Sequence, residues 1–154
     1  MSARIAYLDT SAILALLLPF DALHAAAGEA WDAAVGQVKP WTWLHALEVA
    51  QSLRNVAARR PAPAPRAALE QIARDALADV QRGLWQRVRL EPEDLPHRAE
   101  LVGATHGGTS VIGAFDLLHI AGAQMTAADL FVTGDANQAK AARAAGLKVQ
   151  LLRA

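Results

Sequence analysis

Four acidic residues stand at positions where their side chains could do chemistry. Asp9 directly follows the short apolar segment 5–8, and Asp135 follows the apolar segment "LFVT" with one glycine between them. Asp116 lies near the start of the helical segment "FDLLHIAGAQM", and Glu48 lies on the polar side of the helical segment "WLHALEVAQSLRN". An ionised carboxylate among apolar residues is costly unless something pairs with it.

Each of these acids also has an ordinary structural interpretation. Asp9, Asp116 and Asp135 could cap helices, where Asp is favoured and its charge suits the helix dipole. Glu48 could simply face solvent. As a set they are more informative, because three or four neighbouring carboxylates cannot all ionise without a counter-charge. A hard divalent cation such as Mg²⁺ supplies that charge and suits phosphodiester hydrolysis.

The elements that would position these acids alternate along the chain. The predicted strands cover 5–8, 38–41, 84–90, 129–133 and 148–152. The predicted helices cover 10–18, an alanine-rich segment that Asp21 caps and that ends near Gly36, 43–59, 67–81, 93–106, 115–125 and 136–145, with a glycine-rich loop at 107–113. This alternation predicts an α/β fold whose parallel sheet is covered on both faces. Asp9 and Asp135 then reach the carboxyl edge of the sheet, where such folds place their functional crevice.

Composition narrows the class of protein. The 154 residues predict a single domain, residues 1–154, with a sizeable core. The absence of cysteine excludes disulfides, thiolate zinc sites and thiol catalysis, and favours a cytoplasmic protein. We expect neither a membrane span nor a signal peptide. The net charge is zero, which removes a basic field over the whole protein.

Basic side chains are nevertheless unevenly distributed. Nine of the twelve arginines lie between Arg54 and Arg98, where they form either a local basic face or an ordinary solvated helix surface. The four tryptophans are expected to pack in the core or at an interface rather than stack on bases. His119, three residues after Asp116, is expected to be a partly buried histidine with satisfied hydrogen bonds. His106 is expected at the surface.

Other acid-bearing α/β folds fit less well. An aspartyl-phosphate phosphatase needs a second Asp two places after the first, and Ser11 stands there. A phosphoacceptor signalling domain needs an acidic pair after the first strand and an Asp on a middle strand, and neither is evident. The chain has no GxxxxGK phosphate loop and no glycine-rich dinucleotide fingerprint.

Four segments in order carry a resemblance to a known family. They are "YLDTSAILALL" (7–17), "LHALEVAQSLRN" (44–55), "GAFDLLHIAGA" (113–123) and "LFVTGDANQAKAARAAGLKV" (130–149). Together they resemble the PIN-domain nucleases, and especially the VapC-type ribonuclease toxins of bacterial toxin–antitoxin modules. The resemblance implies a three-layer α/β/α fold with a central parallel sheet of four to five strands. It also implies an acidic pocket that binds Mg²⁺ or Mn²⁺ and cuts RNA by metal-activated water.

The resemblance also assigns residues. It implies catalytic and metal-ligand roles for four acids, Asp9, Glu48, Asp116 and Asp135, the last of which binds metal directly or through water. It implies supporting roles for small hydroxyl side chains, Thr10, Ser11 and Thr133. Two positions depart from the family pattern. Ala114 replaces a residue that is often Arg or another polar type, which weakens the expected grip on phosphate, and Gly134 replaces a more usual aromatic or polar residue.

The resemblance further implies an RNA substrate, a homodimer and a separate VapB-like antitoxin. The antitoxin would cover a groove beside the apolar run Leu14–Phe20 and block the acidic pocket. Two other functions stay open at this point. The chain could be a PIN nuclease of RNA maturation, or a non-catalytic PIN module that binds RNA or protein; the intact acid set argues against the latter.

Overall fold

The computed structural model describes residues 4–106, 108 and 111–154, apart from the side chain of His106. The expected surface position of that histidine, and residues 107, 109 and 110 of the glycine-rich loop predicted at 107–113, therefore lie outside the described residues. The strands are β1 (Ala6–Leu8), β2 (Pro40–Trp41), β3 (Gln86–Arg87), β4 (Leu130–Thr133) and β5 (Val149–Leu151). The helices are α1 (Thr10–Leu17), α2 (His24–Ala33), α3 (Trp43–Ala58), α4 (Arg66–Gln81), α5 (Asp94–His106), α6 (Ala114–Met125) and α7 (Ala136–Ala144).

All strand pairs run parallel. β1, β4 and β5 form a three-stranded sheet in the order β1-β4-β5, and β2 pairs with β3. A parallel bridge between Ile5 and Val38 joins the two groups, so that the strands follow the order β3-β2-β1-β4-β5. The predicted α/β class with a parallel sheet is thereby confirmed.

Strands β2 and β3 are shorter than the sequence predicts. Pro40 has no N–H to donate, which limits pairing on its strand. On β3 only alternate amides reach β2, from Gln86 to the carbonyl of Lys39 at 2.8 Å and from Val88 to that of Trp41 at 2.9 Å. Both residues of β3, Gln86 and Arg87, are exposed, as expected for an edge strand with one face in solvent.

Successive side chains of the central strands enter the two faces of the sheet. Leu8 and Val132 belong to the core on the side of α1 and α3, whereas Tyr7 and Phe131 belong to the core on the side of α6 and α7. All four are buried, with at most 1% of their surface exposed. Helices therefore cover both faces of the sheet, giving three layers.

One helix start differs from the prediction. The prediction that Asp21 caps α2 is wrong, because α2 begins at His24 and its N-cap is Leu23. The carboxylate of Asp21 instead accepts the Leu23 amide at 2.8 Å, and its carbonyl accepts the His24 amide at 3.0 Å. Asp21 thus stabilises a local turn ahead of the helix. None of the helices in the described residues is long and apolar enough to cross a bilayer.

Candidate functional site

Two parallel strands deliver Asp9 and Asp135 to one edge of the sheet. β1 and β4 pair side by side, with Leu8 opposite Val132, and each ends just before its aspartate. Both aspartates are also N-caps. Asp9 accepts the Ala12 amide at 2.9 Å, and Asp135 accepts the Gln138 amide at 2.9 Å. Both aspartates therefore cap a helix and also lie at the carboxyl edge of the sheet.

Asp9 is the most enclosed of the four acids, with 3% of its surface exposed. The Ser11 hydroxyl donates across both of its carboxylate oxygens, at 2.8 and 2.9 Å, and the Thr133 hydroxyl lies 3.0 Å from Oδ2. Burial raises the pKa of Asp9, and the hydrogen bonds that its carboxylate accepts oppose that shift only in part. The site therefore holds a carboxylate whose ionisation calls for nearby positive charge.

Two backbone amides fix the hydroxyls that hold Asp9. The Gly134 amide donates to Ser11 Oγ at 2.8 Å, and the Asp135 amide donates to Thr133 Oγ1 at 3.0 Å. A side chain at Gly134 would place its Cβ only 2.8 Å from a methyl carbon of Leu23 and 3.3 Å from Ser11 Oγ. The departure from the family pattern at Gly134 thus has a steric reason, since a larger residue would crowd the serine.

Glu48 turns inward, although its place on the helical wheel suits plain exposure. Its Oε2 accepts the Thr10 hydroxyl at 2.7 Å and lies 2.6 Å from Nε2 of His119. Burial acts to raise the pKa of Glu48, but the hydrogen bonds from His119 and Thr10 outweigh it and lower the pKa overall. Glu48 is therefore held in its ionised form by contacts inside the protein.

Asp116 lies in the first turn of α6 and accepts the Gly113 amide at 3.0 Å. Burial raises its pKa, the negative charges of Asp135 and Glu48 raise it further, and the Gly113 hydrogen bond opposes the shift. Gln138, in the first turn of α7, contacts the main-chain oxygen of Asp116 at 3.3 Å, and Thr10, next to Asp9, contacts Glu48 at 2.7 Å. These contacts bring Asp116 and Glu48 near the carboxyl edge where Asp9 and Asp135 lie.

Three buried residues of this region were missed by the sequence interpretation. Gln138, with no exposed surface, accepts the Thr133 hydroxyl at 2.7 Å and donates to the main-chain oxygen of Asp116 at 3.3 Å. The sequence feature that could have identified Gln138 is a polar residue on the alanine-rich face of α7. Tyr7 and His45 lie beneath the acids, with ring centroids 4.9 Å apart, and nothing in the local pattern marks them as polar partners.

The chemistry of this donor set fits a hard divalent cation, which prefers carboxylate oxygens. Its arrangement does not form a closed ligand shell, because no group of three or more His, Asp or Glu side chains among the described residues is gathered tightly enough to hold a metal. The acids share an edge and an electrostatic field, with hydroxyl and amide groups between them.

The arginines collect elsewhere. Arg54, Arg60, Arg66 and Arg74, four of the nine between positions 54 and 98, line a groove of about 770 Å³ between α3 and α4. None of the four acids lines this groove.

Three tryptophans pack together, with ring centroids of Trp85 at 4.8 Å from Trp31 and 5.6 Å from Trp41, whereas Trp43 keeps 41% of its surface exposed. Core packing thus accounts for most of the tryptophans.

Comparisons with known proteins identify the fold and the family of the chain. Comparison with curated protein sequences gives no significant match. Among solved structures, the chain is similar to VapC20 of Mycobacterium tuberculosis, described as a sarcin–ricin loop cleaving toxin, with a TM-score of 0.65 and 20% identity over 92% of this chain and 95% of that one.

It is also similar to VapBC2 from Rickettsia felis, solved bound to a promoter DNA fragment, with a TM-score of 0.65 and 14% identity over 97% of this chain and 100% of that one. VapBC-1 from nontypeable Haemophilus influenzae follows with a TM-score of 0.60 and 16% identity over 96% of this chain and 98% of that one. At these identities the structural similarity establishes the fold. The family model for the PIN domain matches residues 6–144, and the chain therefore belongs to the PIN-domain family.

Proposed function

We propose that this protein is a metal-dependent endoribonuclease and the toxin of a type II toxin–antitoxin pair. One observation carries the nuclease proposal: the carboxylates of a PIN domain gather near the carboxyl edge of the sheet, where Asp9 is buried and Asp116 lies in the negative field of Asp135 and Glu48. Burial raises the pKa of Asp9, and neighbouring acids help to raise that of Asp116. A divalent cation supplies positive charge beside these carboxylates and suits the hydrolysis of phosphodiester bonds.

In this proposal Asp9, Glu48, Asp116 and Asp135 hold Mg²⁺ or Mn²⁺ at the site of cleavage. The bound cation would lower the pKa of a water molecule and neutralise charge on the RNA phosphate. The chain's own part is orientation: Ser11 and Thr133 fix Asp9, and Thr10 fixes Glu48. Fixed carboxylates of this kind lose little freedom when they bind, which is the general benefit of a preorganised site.

The test is an assay of the purified protein on structured RNAs, with Mg²⁺, with Mn²⁺ and with EDTA. Asp9→Asn and Asp116→Asn are compared with Asp75→Asn, which removes an exposed carboxylate on α4 instead. We expect cleavage only with the metal, a loss of at least about 100-fold in the two site variants, and no loss in the control. Cleavage in EDTA, or full activity of both site variants, would refute the mechanism.

The toxin proposal rests on similarity to VapC20, which is described as a toxin, and to structures described as VapBC complexes. It predicts that induced expression arrests bacterial growth, and that co-expression of a short reading frame adjacent to the gene restores growth. Asp9→Asn serves as the control that should not arrest growth. Growth that continues normally while the purified protein cleaves RNA would favour a nuclease of RNA maturation.

Apolar side chains beside the acids support the homodimer. Leu47 and Phe115, 53% and 48% exposed, line with Glu48 a cavity of about 340 Å³. Exposed apolar side chains in a patch often mark protein interfaces. We expect light scattering to report a dimer, and Leu47→Asp to weaken it, whereas Leu77→Asp on the exposed face of α4 should leave it intact. A monomeric wild-type protein would contradict the homodimer.

A further inference from the structure

We infer that His119 is a positioning residue for Glu48, and that Tyr7 selects the histidine tautomer that does this. The inference rests on the proposed nuclease function, since it assigns a role within that site. The sequence spacing pointed towards Asp116, three residues earlier on the same helix. The structure assigns His119 to an acid on a different helix, 71 positions away in the chain.

The contacts of His119 are short and enclosed. The residue keeps 1% of its surface exposed, and its Nε2 lies 2.6 Å from Glu48 Oε2 and 3.0 Å from Thr10 Oγ1. Its other ring nitrogen, Nδ1, lies 3.0 Å from the Tyr7 hydroxyl. A buried imidazole with a polar partner on each nitrogen has one orientation available to it.

Counting protons assigns the direction of each bond. An ionised Glu48 only accepts, so Nε2 must carry a proton. The Thr10 hydroxyl spends its single proton on the same Oε2, at 2.7 Å. Tyr7 can then donate its proton to Nδ1. This Nε2–H tautomer satisfies every partner in the chain of bonds.

A glycine makes room for this arrangement. A Cβ at Gly122, on α6 one turn after His119, would lie 2.8 Å from the Tyr7 hydroxyl oxygen and 3.2 Å from a methyl carbon of Leu90. Any larger residue there would push the tyrosine off the helix. Gly122 therefore permits the close approach of β1 and α6 on which the Tyr7–His119 contact depends.

The consequence concerns which oxygen of Glu48 meets the cation. Both bonds from the protein go to Oε2, which fixes the rotation of the carboxylate and leaves Oε1 as the oxygen that would meet the cation. Partners that orient a metal ligand in this way usually change metal affinity or activity by about 10- to 100-fold when removed.

The first experiment compares His119→Leu with His119→Gln, in the wild-type and in the Glu48→Gln background. Leucine removes the donor, whereas the glutamine amide can still donate towards Glu48. We expect His119→Leu to lower kcat by about 10- to 100-fold with little change in KM for RNA, and to raise the Mn²⁺ concentration for half-maximal activity. Glutamine should recover part of the loss.

In the Glu48→Gln background the same His119→Leu change should cost nothing more, because its effect passes through Glu48. Losses that multiply, or equal losses with leucine and glutamine, would overturn the inference and leave His119 a purely structural residue.

The second experiment does not need activity. Long-range ¹H–¹⁵N NMR spectra of the wild-type protein should show the His119 proton on Nε2. That signal should shift in Glu48→Gln, and the Nδ1 signal should shift in Tyr7→Phe, which keeps the ring but removes the hydroxyl partner of Nδ1. A proton on Nδ1 in the wild type, or spectra unchanged in both variants, would overturn the inference. A protein that lacks ribonuclease activity but gives the expected spectra would refute only the proposed function.

Discussion

The acid edge of the sheet contains two unlike pairs of carboxylates. The inner pair, Asp9 and Glu48, is held by side-chain donors within the protein, and Asp9 has 3% of its surface exposed. The outer pair, Asp116 and Asp135, is held by main-chain amides at helix starts, where Asp135 is exposed and Asp116 half-buried. Side-chain hydroxyls and an imidazole thus orient one pair, and only helix ends orient the other.

The difference shows which of the carboxylates the fold already holds in a fixed orientation. Ordering the inner pair requires a buried network in which each partner is itself fixed, and that ordering is complete once the chain has folded. The outer pair needs only a free amide in the first turn of a helix, which Asn or Ser can also satisfy. We therefore expect changes in the inner pair to act on orientation, and changes in the outer pair to act mainly on charge.

The largest expected effect separates activity from stability at Asp9. Because burial raises its pKa, the folded state favours the protonated carboxyl, so this residue's contribution to stability falls as the pH rises above its ordinary pKa of about 3.9. Asp9→Asn should lose at least about 100-fold in kcat, yet unfold at the same or higher urea concentration at pH 7 in EDTA. An inactive and clearly less stable variant would show that its hydrogen bonds outweigh the burial of its charge.

A second prediction concerns the hydroxyl that holds Asp9. Thr133→Val keeps the shape but removes the hydroxyl shared between Asp9 and Gln138, which is also the acceptor of the Asp135 amide. We expect activity to fall by about 10- to 100-fold and the free energy of unfolding by about 1–3 kcal/mol. Thr105→Val on the exposed surface of α5 is the control, with a change of less than about 0.5 kcal/mol. Equal effects in Thr133→Val and Thr105→Val would contradict the view that side-chain donors orient the inner pair.

The third prediction concerns the support beneath the inner pair. His45 lies 2.9 Å from the carbonyl of Leu8, next to Asp9, and its burial lowers its pKa to about 3. The folded state therefore binds the proton less tightly than the unfolded state. The resulting stability is complete above about pH 6.5 and is lost as the pH falls towards 3, at about 1.4 kcal/mol per pH unit.

Urea unfolding of the wild type and of His45→Gln between pH 7 and pH 4 measures this dependence. In His45→Gln the free energy of unfolding should lose this part of its pH dependence. In His97→Gln, on an exposed helix surface, the pH dependence should be the same as in the wild type. Parallel slopes in the wild type and His45→Gln would contradict the prediction.

The smallest effect is expected in the outer pair. Asp135→Asn keeps the N-cap acceptor of α7, so the free energy of unfolding should change by less than about 0.5 kcal/mol, whereas Asp135→Ala should lose about 1 kcal/mol. If Asp135 acts through charge alone, activity should fall by less than about 10-fold in the Asn variant. A loss as large as that of Asp9→Asn would place Asp135 among the residues that orient the site.

Local rules accounted for much of the fold. Strand and helix order, the N-cap positions of Asp9 and Asp135, and the arrival of both at one edge follow from apolar periodicity and from the direction of parallel strands. The ends of β2 and β3 and the start of α2 did not follow, because pairing at a sheet edge and turns before a helix depend on neighbours that the local pattern does not specify.

By itself, the sequence determined the class of fold, the four acids and the edge at which strand ends deliver two of them. The tertiary structure decided which groups hold those acids. Glu48 turns inward because His119 and Thr10 lie within reach of it, and Gln138 joins Thr133 to the start of α6. Periodicity tells which face of a helix is buried, but the partner on that face depends on how distant segments pack. The residue types therefore determined which carboxylates are available at this edge, and tertiary packing determined how those carboxylates are oriented.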